Sequence, residues 1–161
     1  MPRADDQFHV YVAEHLDRWR RTAYLLCGDW HLADDLVSEA VIRLHRHWSR
    51  ASQANNVDAY TQKILTRCWL SEQRRRWRRV EHTQADPPAT SYLQPDGIVE
   101  RQPLAQLLES LGPRQRAVVI LRFYLDHSVE ETAELLGIAP ATVRSQSTRA
   151  LEHLRTADAQ R

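Results

Sequence analysis

Between positions 63 and 79 the chain carries seven basic side chains, Lys63, Arg67, Arg74, Arg75, Arg76, Arg78 and Arg79, and a single acid, Glu72. Tyr60, Trp69 and Trp77 interleave with them. The chemistry such a block can do is electrostatic and stacking, not covalent. Cations track the phosphates of a single strand while rings stack on unpaired bases. The same block makes association with a polyanion salt-dependent. The competing explanation is a solvated helix end with tryptophans in the core. Trp69 is expected to be core or partly core, and Trp77 is left open between the two.

A second set lies near the C-terminal end. Thr142, Arg144, Ser145, Gln146, Ser147, Thr148 and Arg149 are read as the outward residues of one helix. A helix fits the major groove, and Arg and Gln make bidentate contacts to base edges there. Thr and Ser near its start suit phosphate. A solvated helical hairpin has the same spacing. A third set mixes Asp34, Asp35 and Glu39 with Arg43 and Arg46, a face suited to docking or to water.

Catalysis has little support. The eight histidines show no repeated ligand spacing, and no phosphate-binding glycine loop, HExxH or GxSxG occurs. Asp34 and Asp35 are adjacent, so they diverge on a helix. No cofactor and no metal is expected, and the protein is not expected to be an enzyme. Cys27 and Cys68 are far apart in apolar segments and read as reduced buried thiols.

These sets need helices to position them. Only four glycines occur in 161 residues, which favours helix over strand. Val12, Leu16, Trp19, Ala23 and Leu26 predict a first helix near 5–26, broken by Gly28. Ala33, Leu36, Val37, Ala40, Val41, Leu44 and Trp48 predict a second near 32–48, with Asp34 and Asp35 in its first turn. Residues 49–56 read as a loop. Ala59, Tyr60, Ile64, Leu65, Trp69 and Leu70 predict a third helix near 57–80, ending in the arginines.

Periodicity then stops, and Pro87, Pro88, Pro95, Gly97 and Pro103 come next. Five acids and one base, Arg101, lie from Glu81 to Glu109, so the net charge of +1 averages a basic block and an acidic one. The segment 81–102 reads as a flexible linker. It separates a domain at 1–80 from one at 103–161.

In the second domain Leu104, Leu107, Leu108 and Leu111 form one stripe, and Ala117, Val118, Ile120, Leu121 and Tyr124 the next. Ser128 and Glu131 have the spacing of a capping box. Gly137 stops that helix, and Pro140 suits the first turn of another. Ala133 is small enough for the two to pack closely, which is helix-turn-helix grammar. Ala139 is a weak N-cap for the longer helix. The fold class is all-α, with two small helical domains. Such domains are marginal alone, so a partner is expected. No signal segment and no apolar run of roughly 20 residues occurs, which predicts a cytoplasmic protein without membrane contact.

Residues 21–29 (Arg-Thr-Ala-Tyr-Leu-Leu-Cys-Gly-Asp) and 33–43 (Ala-Asp-Asp-Leu-Val-Ser-Glu-Ala-Val-Ile-Arg) resemble conserved region two of the sigma-70 family, in its extracytoplasmic-function (ECF) group. Residues 111–124 (Leu-Gly-Pro-Arg-Gln-Arg-Ala-Val-Val-Ile-Leu-Arg-Phe-Tyr), with 128–133 and 142–145, resemble region four. The Leu-Leu-Cys-Gly-Asp and Trp-Arg-Arg segments look like an actinobacterial SigE-like branch.

The resemblance implies a sigma factor that binds core RNA polymerase and promoter DNA. It implies core-polymerase binding by Asp35, Glu39 and Arg43. The minus-ten element falls to the 49–56 loop and to Tyr60, Lys63, Arg67, Arg74, Arg75 and Arg78. The minus-thirty-five element falls to Thr142, Arg144, Ser145, Gln146, Thr148 and Arg149. The linker would thread through the polymerase, and an anti-sigma factor is expected as a partner at family level. Arg67 stands where the family often carries asparagine. The alternatives are a helix-turn-helix regulator that does not join polymerase and a protein-only helical adaptor.

Overall fold

The computed structural model describes residues 1–83 and 103–160, and backbone contacts divide the chain into two compact units. The linker expectation lies outside the described residues, apart from its first three positions, which prolong a helix. Among the described residues there is no strand.

The first unit holds α1 (Ala4–Cys27), α2 (Trp30–Arg46), α3 (Trp48–Ala51) and α4 (Val57–Thr83). Gly28 stops α1 in the left-handed region at φ 73°, where only glycine sits without strain, and its N–H donates to the Tyr24 carbonyl at 2.7 Å. Asp29 then caps α2, accepting from the His31 and Leu32 N–H groups at 2.8 and 3.4 Å. Helix α2 therefore starts two residues before the expected position, and Asp34 and Asp35 stand beyond its first turn rather than in it. Helices α1, α2 and α4 pack together around buried Trp19, Leu26, Leu36, Leu44, Leu65 and Trp69. Arg18 and Asp58 pair at 3.1 Å between α1 and α4.

Two further expectations need correction. Leu16 is exposed, whereas Trp19 of the same expected stripe is buried and stacks on His15, which packs on Tyr11, with centroids 5.7 and 4.2 Å apart. The stretch 49–56 is not loop throughout, since α3 takes its first residues and buries Trp48 and Ala51.

The second unit holds α5 (Pro103–Glu109), α6 (Pro113–Val119), a π-helical turn (Ile120–Tyr124), α7 (Val129–Leu136) and α8 (Pro140–Ala159). Val118, Ala133 and Val143 form a buried cluster where α6, α7 and α8 meet, flanked by Val129, Leu136 and Ile138. The π turn is a departure from the expected periodicity. The Leu125 N–H reaches the Ile120 carbonyl, five residues back, at 2.9 Å. One extra residue in a turn rotates the positions beyond it about the helix axis. Tyr124, expected inward, is 42% exposed, and Phe123 beside it is exposed too. Leu104 is also exposed, while Ala105, Leu108 and Leu111 are buried.

The capping box closes as its spacing predicts. The Glu131 N–H donates to Ser128 Oγ at 3.0 Å, and the Ser128 N–H donates to Glu131 Oε1 at 3.1 Å. The two Ser128 donors hold the Glu131 carboxyl below its ordinary range, helped by His127. The depressed value means that this contribution is present above the unfolded carboxylate pKa and is lost as pH falls through the folded one. Ser128→Ala is expected to cost about 1 kcal/mol, read as faster amide exchange across α7 at neutral pH. The gap between the two proteins should narrow in acid. Gly137 ends α7 at φ 65°, and the Ile138 N–H returns to the Ala133 carbonyl at 3.0 Å.

Candidate nucleic-acid interfaces

Successive residues on an α-helix are about 100° apart, so buried positions fix which side chains face out. On α8 the inner face is set by Val143 and Ala150, both fully buried. Opposite them lie Ser145 and Thr148, with Arg144 and Arg149 on the two flanks, all exposed or half-exposed at the surface. Thr142 is half-buried at the edge. Gln146, expected outward, is half-buried, and its Oε1 is buried with no hydrogen-bond partner among the described residues. Ser147 is likewise half-buried and donates to the Val143 carbonyl at 2.7 Å. Both lie closer to the core meridian than to the outer one.

The Ser145 and Thr148 hydroxyls donate back to the Thr142 and Arg144 carbonyls at 3.0 and 3.1 Å. That spends their protons and leaves their lone pairs outward as acceptors. Arg144 Nη2 lies 3.7 Å from Glu130 Oε1 on α7. Both side chains are mostly exposed, so this pair is weak and can be exchanged for a phosphate or a base.

On α4 the core meridian runs through Leu65 and Trp69. Tyr60, Lys63, Arg67, Arg74 and Arg78 recur at steps of three, four, seven and four on the far side. They form one strip about 27 Å long at 1.5 Å per residue. Arg67, Arg74 and Arg78 are exposed and carry no ion pair among the described residues. Arg75 was expected with this set, and the structure turns it to a different face. Its Nη2 lies 3.3 Å from Glu72 and 3.9 Å from Glu39. Trp69 is core, and the open question about Trp77 resolves towards the surface, where it is 67% exposed beside the strip.

On α2 the i, i+4, i+8 spacing places Asp35, Glu39 and Arg43 on one face. Asp35 is exposed. Glu39 accepts from Arg43 at 2.7 Å. Asp34 is taken by Arg20 of α1 at 2.6 Å. One residue of these surfaces lies outside the sequence reading, and another is named there without a role. Ile42 stands 54% exposed on the Asp35 face, and its signal was an apolar residue off the stripe of Leu36, Val37, Ala40 and Leu44. Glu72, the lone acid of the basic run, is the other, and the structure places three arginines around it. Beneath this network Cys68 is buried, and burial with the nearby Glu39 pushes its thiol up to about 11, so it stays protonated and unreactive.

Among the described residues no group of three or more His, Cys, Asp or Glu side chains is placed to hold a metal. None of the described helices is long and apolar enough to cross a membrane.

Taken together, a helical unit ending in a basic strip and a second unit built on a helix-turn-helix define a DNA-binding transcription protein. Residues 11–79 match the family described as Sigma-70 region 2, and residues 101–154 match Sigma-70, region 4. The chain is 32% identical over 149 residues to an RNA polymerase sigma-E factor of Streptomyces avermitilis, covering 92% of this chain and 83% of that one. It is 34% identical over 152 residues to the ECF RNA polymerase sigma factor SigE of Mycolicibacterium smegmatis, covering 89% and 58%. Its fold is similar to that of the sigma factor RpoE from Bartonella quintana, solved in complex with the anti-sigma factor NepR. There the TM-score is 0.75 at 24% identity, over 93% of this chain and 95% of that one. CnrH, solved with the cytosolic domain of CnrY, gives a TM-score of 0.62 at 20% identity, over 96% and 89%. The chain belongs to the sigma-70 family of RNA polymerase sigma factors, in its extracytoplasmic-function group.

Proposed function

We propose that the chain acts as a dissociable initiation subunit of RNA polymerase, bringing no enzymatic step of its own. The Asp35, Glu39 and Arg43 face, with Ile42, docks on core polymerase. The strip of Tyr60, Lys63, Arg67, Arg74 and Arg78 meets the melted minus-ten element, with Arg75 held in reserve. Arg144, Ser145, Thr148 and Arg149, flanked by Thr142 and Gln146, read the minus-thirty-five element. The working domains are 1–80 and 103–161, with 81–102 as the connector between them. The protein works in the cytoplasm, and an anti-sigma factor is its expected regulator, since the sigma factor RpoE was solved in complex with one.

The observation that carries this reading is that the region 2 and region 4 matches fall on one chain, and each contains an exposed cationic helix face. A regulator using only the helix-turn-helix would need just the second. The test is run-off transcription with purified core polymerase and a randomised promoter library. Transcripts that depend on this protein and share two sequence elements are expected. Binding to duplex DNA without any polymerase-dependent transcript would favour the lone regulator. Absence of DNA binding in low salt, with or without core enzyme, would favour the adaptor.

A further inference from the structure

Glu72 is an acid where a polyanion-binding helix gains nothing from one. Its side chain is 17% exposed, and it lies on the α4 meridian that begins with Leu65 and Trp69. Three guanidinium groups converge on it: Arg75 at 3.3 Å, Arg76 at 3.4 Å and Arg79 at 3.6 Å. Arg75 also reaches Glu39 on α2, which holds Arg43 at 2.7 Å. A chain of charges thus runs Arg43, Glu39, Arg75, Glu72, and then Arg76 and Arg79. Without Glu72, three like charges within two turns would repel one another and turn outward. Arg67, Arg74 and Arg78 take no part, because they occupy the opposite side of the helix.

We propose that Glu72 sets how much of the basic block is open to nucleic acid: it ties Arg75 and Arg76, and more loosely the mostly exposed Arg79, into an ion-pair network and leaves Arg67, Arg74 and Arg78 as the strip a single strand meets. The proposal rests on the reading of α4 as a single-strand face. It makes Glu72 a positioning residue that never touches DNA. It also gives the six arginines a division of labour: three serve as contacts, and three are engaged by the carboxylate while it is present.

The test is the salt dependence of binding between the full chain and a labelled oligo-dT strand, followed by fluorescence anisotropy. Each phosphate neutralised on a single strand adds about 0.7 to the log–log salt slope. Glu72→Gln is expected to steepen the slope by about 1–2 through up to three new phosphate contacts and to tighten low-salt binding by about tenfold or more. Glu14→Gln on the exposed side of α1 makes the same change in net charge away from the block, and the wild-type slope is expected there. Glu39→Gln, which relaxes the longer of the two Arg75 pairs along with the Arg43 pair and leaves the contacts of Glu72 in place, should steepen it only slightly. A Glu72→Gln protein with the wild-type slope, or with one no steeper than Glu14→Gln, overturns the proposal.

If Glu72→Gln fails to fold by circular dichroism, Glu72→Asp decides. It keeps the charge at shorter reach and should give a slope between the two, and an unchanged slope overturns the proposal. The strip itself is tested apart from Glu72 by Arg67→Ala, Arg74→Ala and Arg78→Ala combined. Unweakened binding there refutes the single-strand face, whereas the effect of Glu72→Gln bears on the gate.

Discussion

Trp69→Ala is expected to cost about 3–5 kcal/mol, the range for removing a buried aromatic ring from a core. The indole is 1% exposed and stands on the inner face of α4, the helix that packs against both α1 and α2. A small domain holds only about 5–15 kcal/mol in total, so much of the stability of the first unit should go. Thermal unfolding followed by circular dichroism, with hydrogen exchange across α1, α2 and α4, reads the loss. Trp69→Phe should behave differently. The Trp69 Nε1 donor is buried with no partner among the described residues, and an orphaned donor carries a penalty of about 1–3 kcal/mol. Phenylalanine removes that donor while keeping most of the ring. Its cost should therefore fall well below that of alanine, to about 1 kcal/mol. Equal losses for the two substitutions would show that the orphaned N–H is not a liability.

The elements that were legible in sequence are those whose limits are set by local chemistry. Gly28, Gly137, Pro140 and the Ser128–Glu131 pair act on their own backbone or on residues three or four away, so spacing alone shows them. The start of α2 is set by Asp29, which caps the helix directly after the glycine stop and ahead of the apolar stripe that spacing detects. The failures have long-range or non-periodic causes. A 3.6-residue period cannot announce the π turn at Ile120–Tyr124, and with it the outward Tyr124. Nor can it say that His15 stacks on Trp19 or that Leu16 stands at the surface.

The candidate surfaces divide in the same way. Tyr60, Lys63, Arg67, Arg74 and Arg78 share a face by arithmetic on their positions. Arg75 leaves that face by the same arithmetic, three residues from Glu72 at 3.3 Å, and only its longer contact with Glu39, on another helix, lies outside any count along α4. Gln146 was placed outward by its polarity, yet its position beside the core meridian prevails. Trp77 could not be assigned from sequence, because an aromatic in an arginine run satisfies both readings until the helix phase is known.

The α2 surface offers the cleanest functional prediction, because its residues differ in how far they are tied into the fold. Reversing Glu39 to Lys would break its pairs with Arg43 and Arg75, so lost function would mix docking with the state of the α4 arginines. Asp35 is exposed and holds no ion pair among the described residues. Its reversal changes only what a partner meets. Asp35→Lys is expected to weaken association with core polymerase by about 100-fold or more, since a like charge set against a complementary patch costs several kcal/mol and about 1.4 kcal/mol is a factor of ten. Ile42→Ala, on the same face, should cost about tenfold through lost apolar burial. Equilibrium binding of labelled protein to core enzyme reads both, beside melting curves expected to match wild type. The whole assignment depends on polymerase fixing two helical readers at one spacing. A folded Asp35→Lys protein that still joined core enzyme at wild-type affinity would move the docking face off α2, and a folded wild-type chain that never joined it would remove the initiation role altogether.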